Sequence, residues 1–375
     1  MRIVVAMSGG VDSSVVAGLL HEAGHEVIGV TLQLYDHGAA SGRKGACCAG
    51  QDIHDARRVA DHLGIAHYVI DAEARFARAV IDDFAASYAA GETPVPCIRC
   101  NQSVKFTDLT ALARGFGAER LATGHYVRRV DTPDGPELHR ARDIARDQSW
   151  FLFATTRAQL AFCLFPLGDM PDKAAVRREA VRLGLPVAAK PDSQDICFVP
   201  SGHYTNLVRQ LRPDALASGD IVDRAGRVLG RHDGIANYTV GQARRLGQAS
   251  SGGMVVQALD AGRRRVIVGP RSEGTRIVAL REVNWLAHQP PRATRCTARL
   301  RARETPQPAR AAPDGIGMTV YLDSPALPAP GQACVLYDGD RVLGGGFITT
   351  PVVDGADRAA LSPASPGLDG GVAQR

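Results

Sequence analysis

The 375-residue sequence predicts a doubly wound parallel α/β sheet in its first 200 residues, followed by two smaller β-rich modules. Three observations predict this. Up to about residue 125, short apolar runs alternate with helical segments at the spacing of β-α-β units. Past residue 200 the helical period gives way to short β-like runs separated by glycines. The charge changes at the same place. Residues 1–200 carry 22 basic and 24 acidic side chains, whereas residues 201–350 carry 20 basic, every one arginine, against 12 acidic.

The elements follow in order. Residues 2–7 are an apolar run ending at Ser8-Gly9-Gly10, the mark of a buried strand. Val15, Val16, Leu19 and Leu20 share one face of a helix over 13–23. Val27 to Leu34 is β-branched and predicts a second strand. A helix over 52–63 stops at Gly64. His67 to Ile70 is a third strand, 73–90 a long helix, 93–100 a Pro/Cys loop and 102–115 a helix. Arg120 to Thr123 is a fourth strand ending at Gly124-His125. Beyond residue 200, β-like runs stand at Ile221–Val222, Val228–Leu229, Tyr238–Val240, Met254–Ala258 and Arg265–Val268. A second β series runs from Arg276 to Thr349 and predicts a barrel, with a Pro/Ala/Arg loop at 304–314. The expected division is 1–200, 201–275, 276–350 and a disordered tail over 351–375, rich in Ala, Gly, Pro, Asp and Ser.

An apolar fraction of 45% excludes a wholly disordered chain. No stretch approaches the roughly 20 apolar residues that span a bilayer, so no membrane partner is expected. The first residues lack the apolar core of a signal peptide. These readings predict a cytoplasmic protein with reduced cysteines. Its eight cysteines are then packing, reactive or metal-binding residues rather than a disulfide framework. The arginine-rich second part predicts a surface for nucleic acid.

The strongest local signal is Ser8-Gly9-Gly10-Val11-Asp12-Ser13-Ser14, between strand one and helix one. Two glycines allow close backbone approach to an anion, and the helix N-terminus presents free amides to it. Asp12 can cap the helix or hold Mg²⁺. The loop has no Gly-Lys-Ser/Thr ending and no lysine of its own, so it is not a Walker loop. Ser-Gly-Gly-x-Asp-Ser resembles the pyrophosphatase loop (PP-loop) of the ATP-pyrophosphatases, which cleave ATP between its α and β phosphates.

Two cysteine segments narrow the choice. One is Thr93-Pro94-Val95-Pro96-Cys97-Ile98-Arg99-Cys100-Asn101, ahead of a helix whose dipole stabilises a thiolate. The other is Asp192-Ser193-Gln194-Asp195-Ile196-Cys197-Phe198. They resemble the paired cysteine segments of the tRNA-specific 2-thiouridylases. Gly124-His125-Tyr126, Arg146-Asp147-Gln148-Ser149, His232-Asp233-Gly234, Tyr238-Thr239-x-Gly241-Gln242, Pro330-Gly331-Gln332 and Gly344-Gly345-Gly346 resemble that family too. The resemblance covers about residues 1–349, in order.

It implies an ATP-dependent tRNA uridine 2-sulfurtransferase. Such an enzyme adenylates the C2 oxygen of the wobble uridine, U34, and replaces it with sulfur from a cysteine persulfide. The cofactors implied are ATP and Mg²⁺, with a persulfide sulfur donor. The partners implied are tRNAs of the Glu, Gln and Lys type, and a persulfide-relay protein or cysteine desulfurase. Cys197 is implied as the persulfide carrier and Cys100 as the nucleophile, joined in a transient disulfide. ATP is implied at Ala6, Met7, Ser8, Gly9, Gly10, Val11, Asp12, Ser13, Gly124 and Leu32, where the family often has Met. Val95, Pro96 and Cys97 are implied at the target base. His125, Arg146, Asp147, Gln148, Arg299, Leu300 and Gln332 are implied at the tRNA.

Two departures stand out. The family commonly has Asp at the position of Cys97, and an Arg-Tyr pair at Arg299-Leu300. Cys97-x-x-Cys100 is also a metal or redox spacing. With Cys197 it could hold an iron–sulfur cluster, and with Cys47-Cys48 a zinc ion. An iron–sulfur-dependent tRNA thiolase, or another PP-loop ligase, is thus the alternative. Cys47 and Cys48 are expected on the loop after strand two, without a catalytic role. Cys163, Cys296 and Cys334 are expected in the core.

Overall fold

The structure is a computed structural model that describes residues 1–35, 48–192, 196–199, 204–288 and 292–349. The 351–375 tail and Cys47 lie outside the described residues, as does the Cys48 side chain.

The first part is a parallel sheet of five strands. They are β1 (Arg2–Ala6), β2 (Glu26–Gln33), β3 (Ala66–Asp71), β4 (Arg120–Ala122) and β7 (Cys163–Leu164), in the order β3-β2-β1-β4-β7. Period-two alternation puts Ile3 and Val5 on one face and Val4 on the other. Each face buries its own apolar cluster, as a doubly wound sheet requires. Helices α1 (Val11–Glu22) and α2 (Cys48–Leu63) follow β1 and β2. The chain leaves β1 toward β2 and later returns to β1's other edge at β4. The switch point of the sheet is therefore the crevice above β1 and β4, where such folds bind ligands.

Two helices depart from regular geometry. The helix α3 over 73–89 and the helix α4 over 96–115 each contain a π segment, Ala77–Ile81 and Asn101–Lys105 respectively. The 93–100 segment, expected as loop, is helical from Pro96 onward. Proline at a first helical position loses no hydrogen bond and has its φ already set. Cys97 and Cys100 therefore stand inside the first helical turns.

A hairpin of β5 (Val127–Thr132) and β6 (Gly135–Arg140) follows β4, and sequence reading gave no sign of it. Three helices follow: α5 (Ser149–Leu152), α6 (Arg157–Phe162) and α7 (Lys173–Arg182). After α8 (Tyr204–Leu211), a four-stranded sheet has the order β10-β11-β8-β9. Its strands are β8 (Gly219–Val222), β9 (Val228–His232), β10 (Met254–Asp260) and β11 (Arg265–Pro270). Tyr238–Val240, expected as strand, is irregular; Tyr238 and Val240 are buried against this sheet.

The last part is a closed six-stranded barrel. Its strands are β12 (Thr275–Trp285), β13 (Thr294–Arg299), β14 (Gln307–Asp314), β15 (Gly317–Ala326), β16 (Ala333–Asp338) and β17 (Arg341–Ile348). Pairing of β12 with both β15 and β17 closes it. The loop expected at 304–314 is largely β14. Its inward positions are the small residues Ala309 and Ala311, which hide the usual β-branched signal. The hairpin β5–β6 continues the barrel sheet beyond β17, with His139 paired to Arg341. One core runs across both parts, packing Val4 and Val30 of the sheet, Ile98 and Phe106 of α4, and Tyr337 and Phe347 of the barrel.

Candidate functional site

The loop after β1 lies over the switch point. Gly9 has φ +73°, and a Cβ there would stand 2.1 Å from the carbonyl oxygen of Asp52, so only glycine fits. Gly124, after β4, approaches so closely that a Cβ would lie 2.9 Å from the Ser13 amide nitrogen. Gly10 caps α1 without any side-chain hydrogen bond, which leaves first-turn amides open to an anion. Ser13 Oγ accepts the Ser8 amide at 3.1 Å, and Ser14 Oγ donates to the Gly10 carbonyl at 2.8 Å. These bonds fix the loop's shape.

Asp12 does not cap the helix. Its carboxylate receives Lys173 Nζ at 2.6 and 2.8 Å and the Tyr126 hydroxyl at 2.7 Å. Lys173 also pairs with Asp192 at 3.1 Å. On the other side of the loop, Lys190 Nζ donates to the Gly9 carbonyl at 3.0 Å, Asp52 at 2.7 Å and Asp55 at 2.6 Å. Sequence reading found no lysine in the loop itself, and the fold brings two from far downstream. Their only sequence signal was scarcity, since the chain has four lysines among 44 basic residues.

A cavity of about 240 Å³ opens beside the loop. Of the residues assigned to ATP, Ala6, Met7, Ser8, Asp12, Ser13, Leu32 and Gly124 line it. Gly9, Gly10 and Val11 shape the loop behind it. Val30, Leu34, Phe106, Leu109 and Leu121 form an apolar wall suited to a flat ring. His125 and Gln148, assigned to the tRNA, line this cavity instead. The His125 ring stacks on Phe106 with centroids 5.9 Å apart, and its Nδ1 meets Thr123 Oγ1 at 2.8 Å. Burial, and then the charge of Lys105, push His125 down to about 3, so its ring is neutral at pH 7.

Three cysteines share one neighbour, Lys105, which lines this cavity. Cys97 and Cys100 lie in the first turns of α4, Cys100 buried and Cys97 exposed. Cys197, exposed, comes from the 196–199 segment. Cys97, Cys100, Cys197 and Lys105 of α4 all interact electrostatically. Cys97 and Cys197 are open to solvent on one side and crowded by protein on the others. That crowding raises all three thiols, Cys197 to about 12, while the Lys105 charge opposes it. All six described cysteines are free, so the Cys100–Cys197 disulfide is not formed here. Among the described residues no three His, Cys, Asp or Glu side chains are gathered to hold a metal ion. Cys163 and Cys334 are fully buried and Cys296 partly so.

The residues assigned to the RNA divide. Val95 and Pro96 sit at the α4 start beside exposed Cys97. Arg146 is half-exposed and bound to Asp192 at 2.9 Å. Asp147, Arg299 and Leu300 are interior. Asp147 accepts the Ala141 and Ser149 amides, the Ser149 hydroxyl and Arg299 Nη1 at 3.0 Å. Arg299 also donates to the Ala302 carbonyl, and Leu300 packs in the barrel core. Asp147 and Arg299 hold the start of α5 against the barrel, and all three side chains are buried in this structure. Gln332 Nε2 donates to the Thr93 carbonyl at 2.9 Å, so it steadies the approach to the cysteines.

Comparison with known proteins matches these parts in order. The tRNA methyl transferase HUP-domain family matches residues 1–201, the tRNA methyl transferase PRC-barrel family 206–270, and the aminomethyltransferase beta-barrel family 275–348. The tRNA-specific 2-thiouridylase of Acidiphilium cryptum is 71% identical over 93% of this chain and 100% of its own length. That of Gluconobacter oxydans is 61% identical over 93% of this chain and 99% of its own. The chain belongs to the tRNA-specific 2-thiouridylases. Membership accords with the order of parts in this chain: parallel sheet, small β sheet, barrel. A 2-thiouridylase from Hyphomonas neptunium, 56% identical over 94% of this chain, extends the same match.

Proposed function

We propose that this chain is an ATP-dependent tRNA-uridine 2-sulfurtransferase that thiolates the wobble uridine, U34. The observation that carries the reading is the meeting of two features at one cavity. An uncapped helix N-terminus with a two-glycine loop stands on one side, and three mutually interacting thiols stand close to the other. The first suits a nucleotide's phosphates, the apolar wall its base, and the thiols a sulfur cargo.

The chemistry follows from the need for a leaving group. The uridine C2 oxygen attacks the α-phosphorus of ATP; pyrophosphate departs and the oxygen becomes part of an AMP ester. Cys197, exposed and so reachable by a persulfide-donating protein, carries the sulfur as Cys197–S–SH. The Cys100 thiolate attacks the inner sulfur. A Cys100–Cys197 disulfide forms and hydrosulfide leaves. Hydrosulfide adds at C2, AMP departs and 2-thiouridine remains. A thiol reductant then reopens the disulfide.

A magnesium ion travelling with ATP fits this site only with rearrangement. Asp12, the one carboxylate on the cavity wall among the described residues, is held by Lys173, and Asp52, Asp55 and Asp192 are held by cations too. The ion would shield the phosphates' charge. The chain's own part is to hold the phosphates with the open first-turn amides of α1. The tRNA partners of this reading are the Glu, Gln and Lys types. Among the described residues no helix is long and apolar enough to cross a membrane.

The test is Cys197→Ala with ATP, tRNA and a persulfide donor. Formation of 2-thiouridine should disappear while nucleotide still binds. Retained full activity would overturn the reading.

A further inference from the structure

Three of the chain's four lysines meet at this site, and they are not equivalent. Lys173 pairs with Asp12 and Asp192, and Lys190 with Asp52 and Asp55. Lys105 pairs with no carboxylate among the described residues. The charged or ionisable groups it faces are the thiols of Cys97, Cys100 and Cys197 and the His125 ring. A half-buried ammonium without an anion is costly, so its place calls for an anion that arrives during the reaction.

The helix geometry explains how Lys105 reaches the thiols. Cys97 and Cys100 are three residues apart in α-helical turns and share a face. Immediately after Cys100 the helix widens into the π segment Asn101–Lys105, closed by the Phe106 amide bonding to the Asn101 carbonyl. In an α-helix the residue stacked over Cys100 would be Val104. The wider turn shifts Lys105 toward the thiols and the cavity, while Val104 packs in the same buried cluster as Cys100. The same Lys105 side chain lines the nucleotide cavity beside Phe106 and His125.

We propose that Lys105 is the positioning cation of sulfur transfer, standing between the nucleotide cavity and the thiols and holding the attacking sulfur as an anion. This rests on the reading that Cys100 and Cys197 carry the sulfur. Lys105 stays protonated throughout; the thiol's proton goes to water, and the ammonium neutralises the sulfur left behind. It acts through the cysteines rather than on the uridine.

The experiment uses the full chain with Lys105→Met and Lys105→Arg. Three quantities are read: the iodoacetamide alkylation rate of Cys100 and Cys197 by peptide mass spectrometry, the thiolation kcat and KM for tRNA, and affinity for a fluorescent ATP analogue. Lys105→Met should slow alkylation of Cys100 and lower kcat by about tenfold each, one log unit in thiolate fraction. KM and nucleotide affinity should stay within about threefold, half a log unit. Lys105→Arg should recover most of both losses. Unchanged alkylation in Lys105→Met overturns the proposal, as does arginine performing no better than methionine. Lost nucleotide affinity with normal alkylation overturns it as well, placing Lys105 in the nucleotide site. If Lys105→Met does not fold, Lys105→Gln carries the same measurements. Alkylation reports on Lys105 even if Cys197→Ala retains thiolation, so the two failures are distinguishable.

Discussion

Arg99, the residue before Cys100, grips Glu282 of the barrel through two hydrogen bonds of 2.5 and 2.8 Å. The neighbouring Arg281 grips Glu92, ahead of the cysteine turn, through two bonds of 2.7 Å. The pairs cross. One arginine reaches from the cysteine helix to the barrel, and the other reaches back. Glu282 stands at φ +50° in a bulge of β12, which lets consecutive side chains meet partners on both sides of the turn. Arg99 also lies over the Phe347 ring, 4.2 Å from its centroid.

The first prediction concerns this clamp. Arg99→Met with Glu282→Gln, taken as a double-mutant cycle, should show a coupling of about 1 kcal/mol, because Glu282 is partly open to solvent. Urea unfolding measures it. The hydrogen bond from Arg99 lowers the Glu282 carboxyl, so the coupling is complete above its ordinary value near ~4.3 and fades as pH falls through the lowered one. A coupling that grew in acid would contradict the geometry.

Asp147 and Arg299 are a buried pair joining α5 to the barrel. Removing one partner leaves the other charge buried. Arg299→Leu or Asp147→Ala alone should therefore destabilise by about 3 kcal/mol, and the double variant by less than the sum. Equilibrium denaturation decides; strictly additive losses would show that the pair does not act as a unit.

His125 is neutral in the fold because burial holds it at about 3, whereas an unfolded histidine titrates near ~6.5. Its contribution is complete above ~6.5 and is lost as pH drops toward 3, because the unfolded chain takes up a proton that the folded one refuses. The slope from this residue is at most about 1.4 kcal/mol per pH unit. His125→Gln should flatten the loss of stability between pH 6 and 4. An identical pH profile would show that His125 is not held neutral.

Gly9→Ala places a methyl group against the Asp52 carbonyl at a left-handed φ. Stability should fall by more than about 1 kcal/mol, and nucleotide affinity by at least about tenfold, because the loop must open to relieve the clash. Calorimetry with an ATP analogue checks both. Unaltered affinity would separate this loop from the nucleotide.

Affinity for tRNA should fall steeply with salt if arginines contact phosphates. Arg244 and Arg245 are exposed in the central part. Replacing both by glutamine should weaken binding to all accepted tRNAs alike and reduce the log–log salt slope by about 1 per lost contact. A slope unchanged in the variant would move the RNA elsewhere.

Strands β1 to β4 were legible because continuous apolar runs are local signals, as Ile3, Val4 and Val5, all buried, show; the two-residue β7 was not. The Ser8–Ser14 loop was legible too, because its glycines and hydroxyls lie together in sequence. Lys173 and Lys190 were not, because 161 and 138 residues separate them from Asp12 and Asp52. Lys105 was hidden differently: the π turn over Asn101–Lys105, which resets the facing of the residues after Cys100, leaves no mark in the sequence. The helical start at Pro96 was missed because Pro-Val-Pro suggests extended chain. Asp147 and Arg299 look like surface charges in sequence; only the barrel docking makes them interior.

The core that joins Val4 of the first strand to Phe347 of the last has a consequence for synthesis. The parallel sheet has emerged from the ribosome by about residue 200, yet its hairpin and its cysteine helix still lack the partners that cover them. About 175 residues remain, which at about 5–20 residues per second is roughly 10–35 s. During that interval Val127, Leu138 and Ile98 lack the barrel side chains Tyr337 and Phe347 that share their core. The newborn chain therefore carries an incomplete apolar core until the barrel closes over it.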